Sequence, residues 1–323
     1  MRRKMLFLLG FVALVAGGLL VFQRDFDTNL FFQGFRNVRP TWLVAAIIGT
    51  FVSYALRAVR WQILLASLKS IRVGPLLSAT LLGFCAIYTL GRAGELFRPV
   101  WIARQEAIST TGSFAAILLE RVFDLLLILL LFATSLAFVE LPEGTRHLAS
   151  ILTRTAWLVW GGATLSLICA ILFERYVEVG ARRLSYGRLR RFLETFATGL
   201  AATSSARRLG LVTGYSLLLW IGIALQFWVM LLGLNLNLSL PATTLVLVGS
   251  ALGSIAQVPG IGGGFQAGFI FGLTTFFLVP VETAAAASLM AWLITFAPTL
   301  VVAAIYMMLK GISAHQLIAG EPV

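Results

Sequence analysis

The stretch "PLLSATLLGFCAIYTLGRAGELFRPVWIARQEAIST", residues 75–110, decides how this chain folds. Two apolar runs, 75 to 90 and roughly 97 to 110, are interrupted by "LGRAGELFRP", which sets two glycines and Pro99 among charges. A continuous helix crossing hydrocarbon does not tolerate such a break without internal partners for the freed backbone groups. The segment therefore reads as a broken helical hairpin entering the bilayer and returning. A 16-residue helix is about 24 Å long, so full crossing is the other reading.

The rest of the chain supplies the membrane. Of 323 residues, 59% are hydrophobic and 12% charged, with mean hydropathy +0.94, against roughly 25% charged in a soluble domain. Residues 5 to 22 follow Arg2, Arg3 and Lys4, and are read as an uncleaved first helix with its start in the cytoplasm. Further helices are expected over 41–66, 112–139, 152–173, 209–232 and 283–309, the last ending at Lys310. In the helix 41–66 Trp42 is read near one membrane face and Trp61 toward the other. A second broken pair, 241–257 and 265–279, surrounds "VPGIGGGF".

The expected fold is thus an all-α polytopic membrane protein of about six full transmembrane helices plus two broken or re-entrant hairpins. Both termini fall in the cytoplasm. The first hairpin then enters from inside and the second from outside, an inverted pseudo-repeat in which Gly91 and Gly94 align with Gly260 and Gly263, and Glu95 with Gly264. Paired broken elements of opposite orientation surround midplane sites in secondary transporters.

The net charge is +12, from 25 Lys and Arg against 13 Asp and Glu. The cations fall between or inside apolar segments rather than along a water-facing groove, which argues against nucleic acid and for anionic inner-leaflet lipids. Residues 174–208 hold eight arginines against three glutamates, a bias that marks a cytoplasmic segment. Within it Leu189, Phe192, Leu193, Phe196 and Leu200 recur at helical spacing opposite Arg188, Arg190 and Arg191. This reads either as a helix lying on the leaflet or as a packed linker between a first half, 1–173, and a second half, 209–323, of one transmembrane domain. Cys85, Cys169, His147 and His315 form no metal-ligand or disulfide pattern.

Charges inside the apolar segments are the candidate site. Arg57 and Arg60 share a helix face beside Trp61, and an unpaired arginine at mid-membrane costs at least ~2.5 to 3.5 kcal/mol. They call for carboxylate partners, a polar cavity or a phosphate ligand, unless they snorkel to the interface. Arg92, Glu95 and Arg98 recur every three residues in the first break, where Gly91 and Gly94 act as hinges and the guanidinium fork suits a phosphate. The alternative there is an ion-pair cluster that holds the hairpin shut. Glu120, Arg121 and Asp124 lie on one helix, and two carboxylates four apart need cations opposite, with Arg57, Arg92 and Arg98 as candidates. The same carboxylates, with Glu95, suit proton coupling. In "QVPGIGGGFQ", residues 257–266, four glycines and Pro259 expose backbone dipoles, and Gln257, Gln266, Gly260 and Gly263 are placed to meet a polar ligand, or else pack helices closely. No nucleophile elbow, zinc-helix motif or phosphate-binding loop lysine is present in the sequence, so neither an enzyme nor a cofactor is expected.

"GRAGELFRP" at 91–99, "LLERVFD" at 118–124 and "VPGIGGGF" at 258–265, with "LRAVRW" at 56–61 as a less distinctive fourth piece, resemble the lysylphosphatidylglycerol synthase transmembrane family of flippase-like integral membrane proteins. The resemblance covers nearly the whole chain. It implies a bacterial-type plasma membrane protein that translocates a phospholipid, of phosphatidylglycerol type or aminoacylated, and not the attached synthase, for which a chain ending at Val323 has no room. It carries Gly91, Arg92, Gly94, Glu95, Arg98, Glu120, Arg121, Asp124, Pro259, Gly260 and Gly263 into the proposed cavity. Gln266 stands near a position where the family often has an acidic residue. The expected mechanism brings the phosphate to Arg92 and Arg98 with the acyl tails left in the bilayer. The competing expectations are a lipid-binding scaffold for a separate lipid synthase and a transporter of a small polar solute.

Overall fold

The computed structural model describes residues 26–36, 38–181, 187–200, 205–258 and 262–312. The expected first helix, 5–22, lies outside them, as do Pro259 and Gly260. The chain folds into α1 (Thr28–Arg36), α2 (Pro40–Leu65), α3 (Val73–Leu90), a 3-10 turn (Gly91–Leu96), α4 (Phe97–Gln105), α5 (Thr110–Phe138), α6 (Arg146–Ala181), α7 (Gly187–Leu200), α8 (Ala206–Gly233), α9 (Leu240–Gly253), α10 (Gly264–Phe277) and α11 (Val281–Lys310).

By length and composition five stretches are able to cross a membrane among the described residues: Pro40–Leu65, Val73–Leu90, Glu143–Cys169, Ala206–Gly233 and Val281–Lys310. Helix α5, with 29 residues, is as long as these and carries Glu120, Arg121 and Asp124 in its first half. Several starts are set by local chemistry. Ser109, Ser205 and Ser239 accept hydrogen bonds from the first turns of α5, α8 and α9, and Pro40 and Pro241 occupy opening positions where no amide hydrogen is needed.

Side-chain and backbone contacts define two ends of the bundle. At the first, Lys69 pairs with Glu106 at 2.9 Å and Ser67 donates to the Thr198 carbonyl at 2.8 Å, joining the loops after α2 and α4 to the end of α7. Ile71, Leu200, Val212 and Ile312 are buried in one cluster there. At the second, Arg39 N–H donates to the Gly233 carbonyl at 2.8 Å, and Val38, Leu43, Leu236, Phe277 and Val279 pack in a common cluster. The hairpin α3–α4 therefore begins and ends at the first end, and α9–α10 at the second. Strand Gln257–Val258 lies beside the 3-10 turn, so the two breaks meet between the ends.

The two hairpins differ from the sequence expectation in their limbs. The returning limb of the first is not 97–110 but the nine residues of α4, about 13 Å of helix. It stops because Ala107 takes a left-handed φ of 52°. In the second hairpin α9 stops at Gly253 rather than at 257, and the break holds a two-residue ladder pairing Gln257 with Gly263 and Val258 with Gly262. Trp61 is fully buried inside the bundle, beneath the Arg98 guanidinium. The helix expected over 152–173 continues to Ala181, into the basic segment. Helix α7 packs on α5 and α6 through its C-terminal half, where Ala197 and Leu200 are buried, while Phe192 is exposed.

Close packing in the second hairpin rests on glycines outside most of its motif. A methyl group on Gly268 would run into the Gly249 carbonyl, and one on Gly253 into the Gly264 carbonyl. Gly268→Ala is expected to destabilise by about 1–3 kcal/mol as the helices are forced apart. Thermal unfolding in detergent checks it, with Gly222→Ala, where the added carbon meets nothing within 4 Å, as the variant that keeps wild-type stability.

Candidate functional site

The charges that the sequence sets inside apolar helices come together where α2, α4, α5 and α8 meet. Arg57 and Arg60 are one turn apart on α2, Glu120 and Asp124 one turn apart on α5, so two cations face two anions in register. Arg60 is fully buried. Its guanidinium reaches Asp124 Oδ1 at 2.7 Å and Glu120 Oε1 at 3.1 Å, and donates to Ser216 Oγ on α8 at 3.0 Å. Arg98 donates to Glu120 Oε1 at 3.2 Å and stacks over the Trp61 ring at 4.5 Å. Gly83 makes room for it, since a side chain there would collide with the Arg98 stem.

Asp124 is held asymmetrically. Its Oδ1 accepts from Arg60 and from Trp220 Nε1 at 3.0 Å. Its Oδ2 stands 3.6 Å from both Arg57 Nη1 and Arg121 Nη1 and accepts no hydrogen bond. Arg57 Nη1 is buried without a hydrogen-bond partner, 3.9 Å from Glu120 Oε1, and its guanidinium lies 5.4 Å from the Phe84 ring centre. Among the described residues four guanidiniums thus surround two carboxylates, at distances that leave Arg57 and Arg121 the least engaged.

Those two face a cavity of about 420 Å³. Arg57, Glu95, Arg121 and Asp124 line it, with Tyr54, Tyr88, Trp220, Trp292 and Gln226 on the remaining wall. Arg60, Arg98 and Glu120 do not line it. Sequence reasoning grouped them with the ligand-facing residues; the structure buries them behind the wall, because each is consumed by ion pairs or by the Trp61 ring. Arg60 therefore does not snorkel. Arg98, expected to meet a phosphate, is taken up by Glu120 and the Trp61 ring.

The breaks contribute unequally. Gly91 takes φ 68°, the left-handed turn that ends α3, and Gly94 packs so tightly on the Ala86 carbonyl that no side chain fits. The Arg92 side chain lies outside what is described. In the second break Gly263 is exposed and Gln257 pairs with it through the backbone. Phe265 lines the cavity and Gln266 does not. The uncharged wall was missed, although α2 carried a signal for it: Thr50, Ser53, Tyr54 and Arg57 fall on one helical face, and all line the cavity.

Among the described residues no three His, Cys, Asp or Glu side chains are grouped to hold a metal. Fold and cluster define a multi-pass helical membrane protein with a charged cavity inside its bundle. The chain belongs to the family described as lysylphosphatidylglycerol synthase TM region, whose model matches residues 7–303. That region is the non-catalytic, transmembrane part of the synthase, and family and apolar bundle together fit a membrane protein that handles lipid. No curated protein and no solved structure matched the chain.

Proposed function

We propose that this protein translocates a phospholipid between leaflets, holding its phosphate between Arg57 and Arg121. The observation that carries the reading is the unbalanced charge of the cluster. Among the described residues Arg57, Arg60, Arg98 and Arg121 outnumber Glu120 and Asp124, and still do when Glu95 on the cavity wall is added. Inside an apolar bundle surplus positive charge is costly unless an anion completes it. The two least engaged guanidiniums are the two that face the cavity, and a phosphate placed there accepts from both.

A lipid suits the site better than a free solute. The volume of about 420 Å³ is that of a headgroup pocket and is too small for two acyl chains. The Arg121 side chain is 39% exposed. Leu252, which lines the same cavity, and Leu118, one turn before Arg121 on α5, are exposed on the bundle surface, where tails rest in hydrocarbon. The protein lowers the desolvation cost of moving a charged headgroup through that hydrocarbon.

In this reading the hairpins α3–α4 and α9–α10 enter from opposite leaflets as an inverted pair and alternately open the cavity at their meeting tips. The first end, with Lys69, Arg104, Arg190, Arg207 and Lys310, faces the cytoplasm of a bacterial-type plasma membrane. The exposed side of α7 meets anionic inner-leaflet lipid. The domain halves 1–173 and 209–323 then move about the linker 174–208.

The test uses purified protein in liposomes with fluorescent phosphatidylglycerol, scored by how much label an external quencher reaches. Protein-dependent loss of the protected inner-leaflet fraction is expected. A folded protein that leaves that fraction intact, with and without a proton gradient, and instead retains a lipid synthase on purification, would replace translocation by a scaffold role.

A further inference from the structure

The cavity has two poles. One is the charged pole just described. The other lies toward the second end of the bundle: on α2, Ser53 and Thr50 are one and two turns beyond Arg57, about 6 and 10 Å along the axis. Facing them are Gln226 from α8, Trp292 and Thr295 from α11 and Tyr88 from α3. None of these is ionised.

Their hydrogen-bonding capacity is not exhausted within the protein. Gln226 uses one amide N–H on Thr50 Oγ1 at 2.7 Å, which leaves its second N–H and its carbonyl oxygen. The Trp292 indole N–H is buried with no partner among the described residues. Buried donors left in this state are costly, about 1–3 kcal/mol each, and the cost is removed by a ligand or water that accepts from them. The ring faces, by contrast, are partly covered. Trp292 stacks on Phe296 at 4.0 Å, Tyr54 on Phe84 at 4.6 Å, and Tyr88 packs edgewise on Phe296 at 5.3 Å. The Thr50, Ser53 and Thr295 hydroxyls donate to backbone carbonyls of their own helices, so what the pole presents is hydroxyl lone pairs, an amide and an indole N–H, rather than open aromatic faces for a cation.

Among the described residues, carboxylates for an ammonium group are also missing from that pole. The two that line the cavity, Glu95 and Asp124, stand at the arginine pole, where Asp124 is shared by Arg57 and Arg121 and Glu95 lies within the field of Arg121. Glu282 of α11 does not line the cavity and accepts from the Asp27 amide at 3.3 Å.

We infer that the headgroup taken by this cavity is an uncharged polyol or sugar joined to the phosphate, and not an amine-bearing one. The inference rests on the phosphate site proposed above and specifies what lies beyond it. The phosphate sits at Arg57 and Arg121, and hydroxyls of the polyol bridge Gln226, Trp292 and the Thr50–Ser53 face. Excess donors and acceptors in neutral form discriminate strongly, because a headgroup without hydroxyls leaves them unpaired.

Binding to the full chain in detergent, without any requirement for transport, tests this. The probes are the dioctanoyl forms of phosphatidylglycerol, phosphatidic acid and phosphatidylethanolamine, together with glycerophosphoglycerol, which carries the headgroup without tails. Phosphatidylglycerol is expected to bind at least ~10-fold more tightly than the other three, a margin within what a lost hydrogen-bonding partner gives. Gln226→Leu and Trp292→Phe are each expected to bring it down to the affinity of phosphatidic acid. Two substitutions on different helices keep the test open if one variant misfolds. Phosphatidylethanolamine binding as tightly as phosphatidylglycerol, or an advantage that survives both substitutions, would overturn the inference. Glycerophosphoglycerol binding as tightly as the lipid would overturn the lipid source of the headgroup. A failure of the underlying phosphate site looks different: Arg57→Gln would then leave all four affinities unchanged.

Discussion

Replacing Glu120 by Gln is expected to destabilise the protein by roughly 3–5 kcal/mol, the cost of stripping a buried ion pair of one partner. Glu120 Oε1 accepts a hydrogen bond from Arg98 at 3.2 Å and pairs with Arg60 at 3.1 Å and Arg57 at 3.9 Å, and the residue is fully buried. An amide there neutralises the counter-charge of three guanidiniums at once, and its own N–H groups point donors at donors. Loss of monodisperse protein, or a large fall in the unfolding temperature, is the readout. Unchanged thermal stability would mean that the cluster is not the electrostatic core of the bundle.

Arg57→Gln is expected to do the reverse, leaving stability near wild type while slowing translocation at least ~30-fold, the equivalent of about 2 kcal/mol for one lost charged contact to phosphate. The asymmetry follows from the sign of the surplus. Arg57 sits 3.6 and 3.9 Å from its nearest carboxylate oxygens and makes no hydrogen bond to either. Its removal relieves excess positive charge, whereas removal of a carboxylate adds to the excess. Unfolding temperature and initial rate of quencher access, measured on the same preparation, separate the two effects. An Arg57→Gln protein that transports normally would remove Arg57 from the site, and one that unfolds would make it structural.

The membrane character was legible because apolar runs near 20 residues have few other uses, and the charge cluster because charges inside those runs must find one another. The register of Arg57 and Arg60 against Glu120 and Asp124 is helical periodicity carried across a helix pair. Which of these face the cavity was not legible. Arg60 and Arg98 carry the same chemistry as Arg57 and Arg121, and only the placement of Trp61, Ser216 and Gly83 buries one pair behind the other. The limbs of the hairpins were misjudged for a related reason. Where α4 stops depends on the left-handed turn at Ala107, a conformation the residue type does not announce, and the short ladder Gln257–Val258 with Gly262–Gly263 is set by contacts across the break. The uncharged pole went unread because hydroxyl and indole side chains are ordinary in membrane helices. Their convergence from α2, α3, α8 and α11 is a tertiary fact.

The central claim is that Arg57 and Arg121 hold a lipid phosphate inside a cavity whose mouth opens to the acyl chains. Electron cryomicroscopy of the protein in phosphatidylglycerol nanodiscs addresses it directly. The expected result is phosphate density within hydrogen-bonding reach of both guanidiniums, continuous with acyl density running out past Leu118 and Leu252. A cavity filled by water alone, with Arg57 and Arg121 closed onto Asp124 and the ordered lipid elsewhere on the bundle, would contradict it.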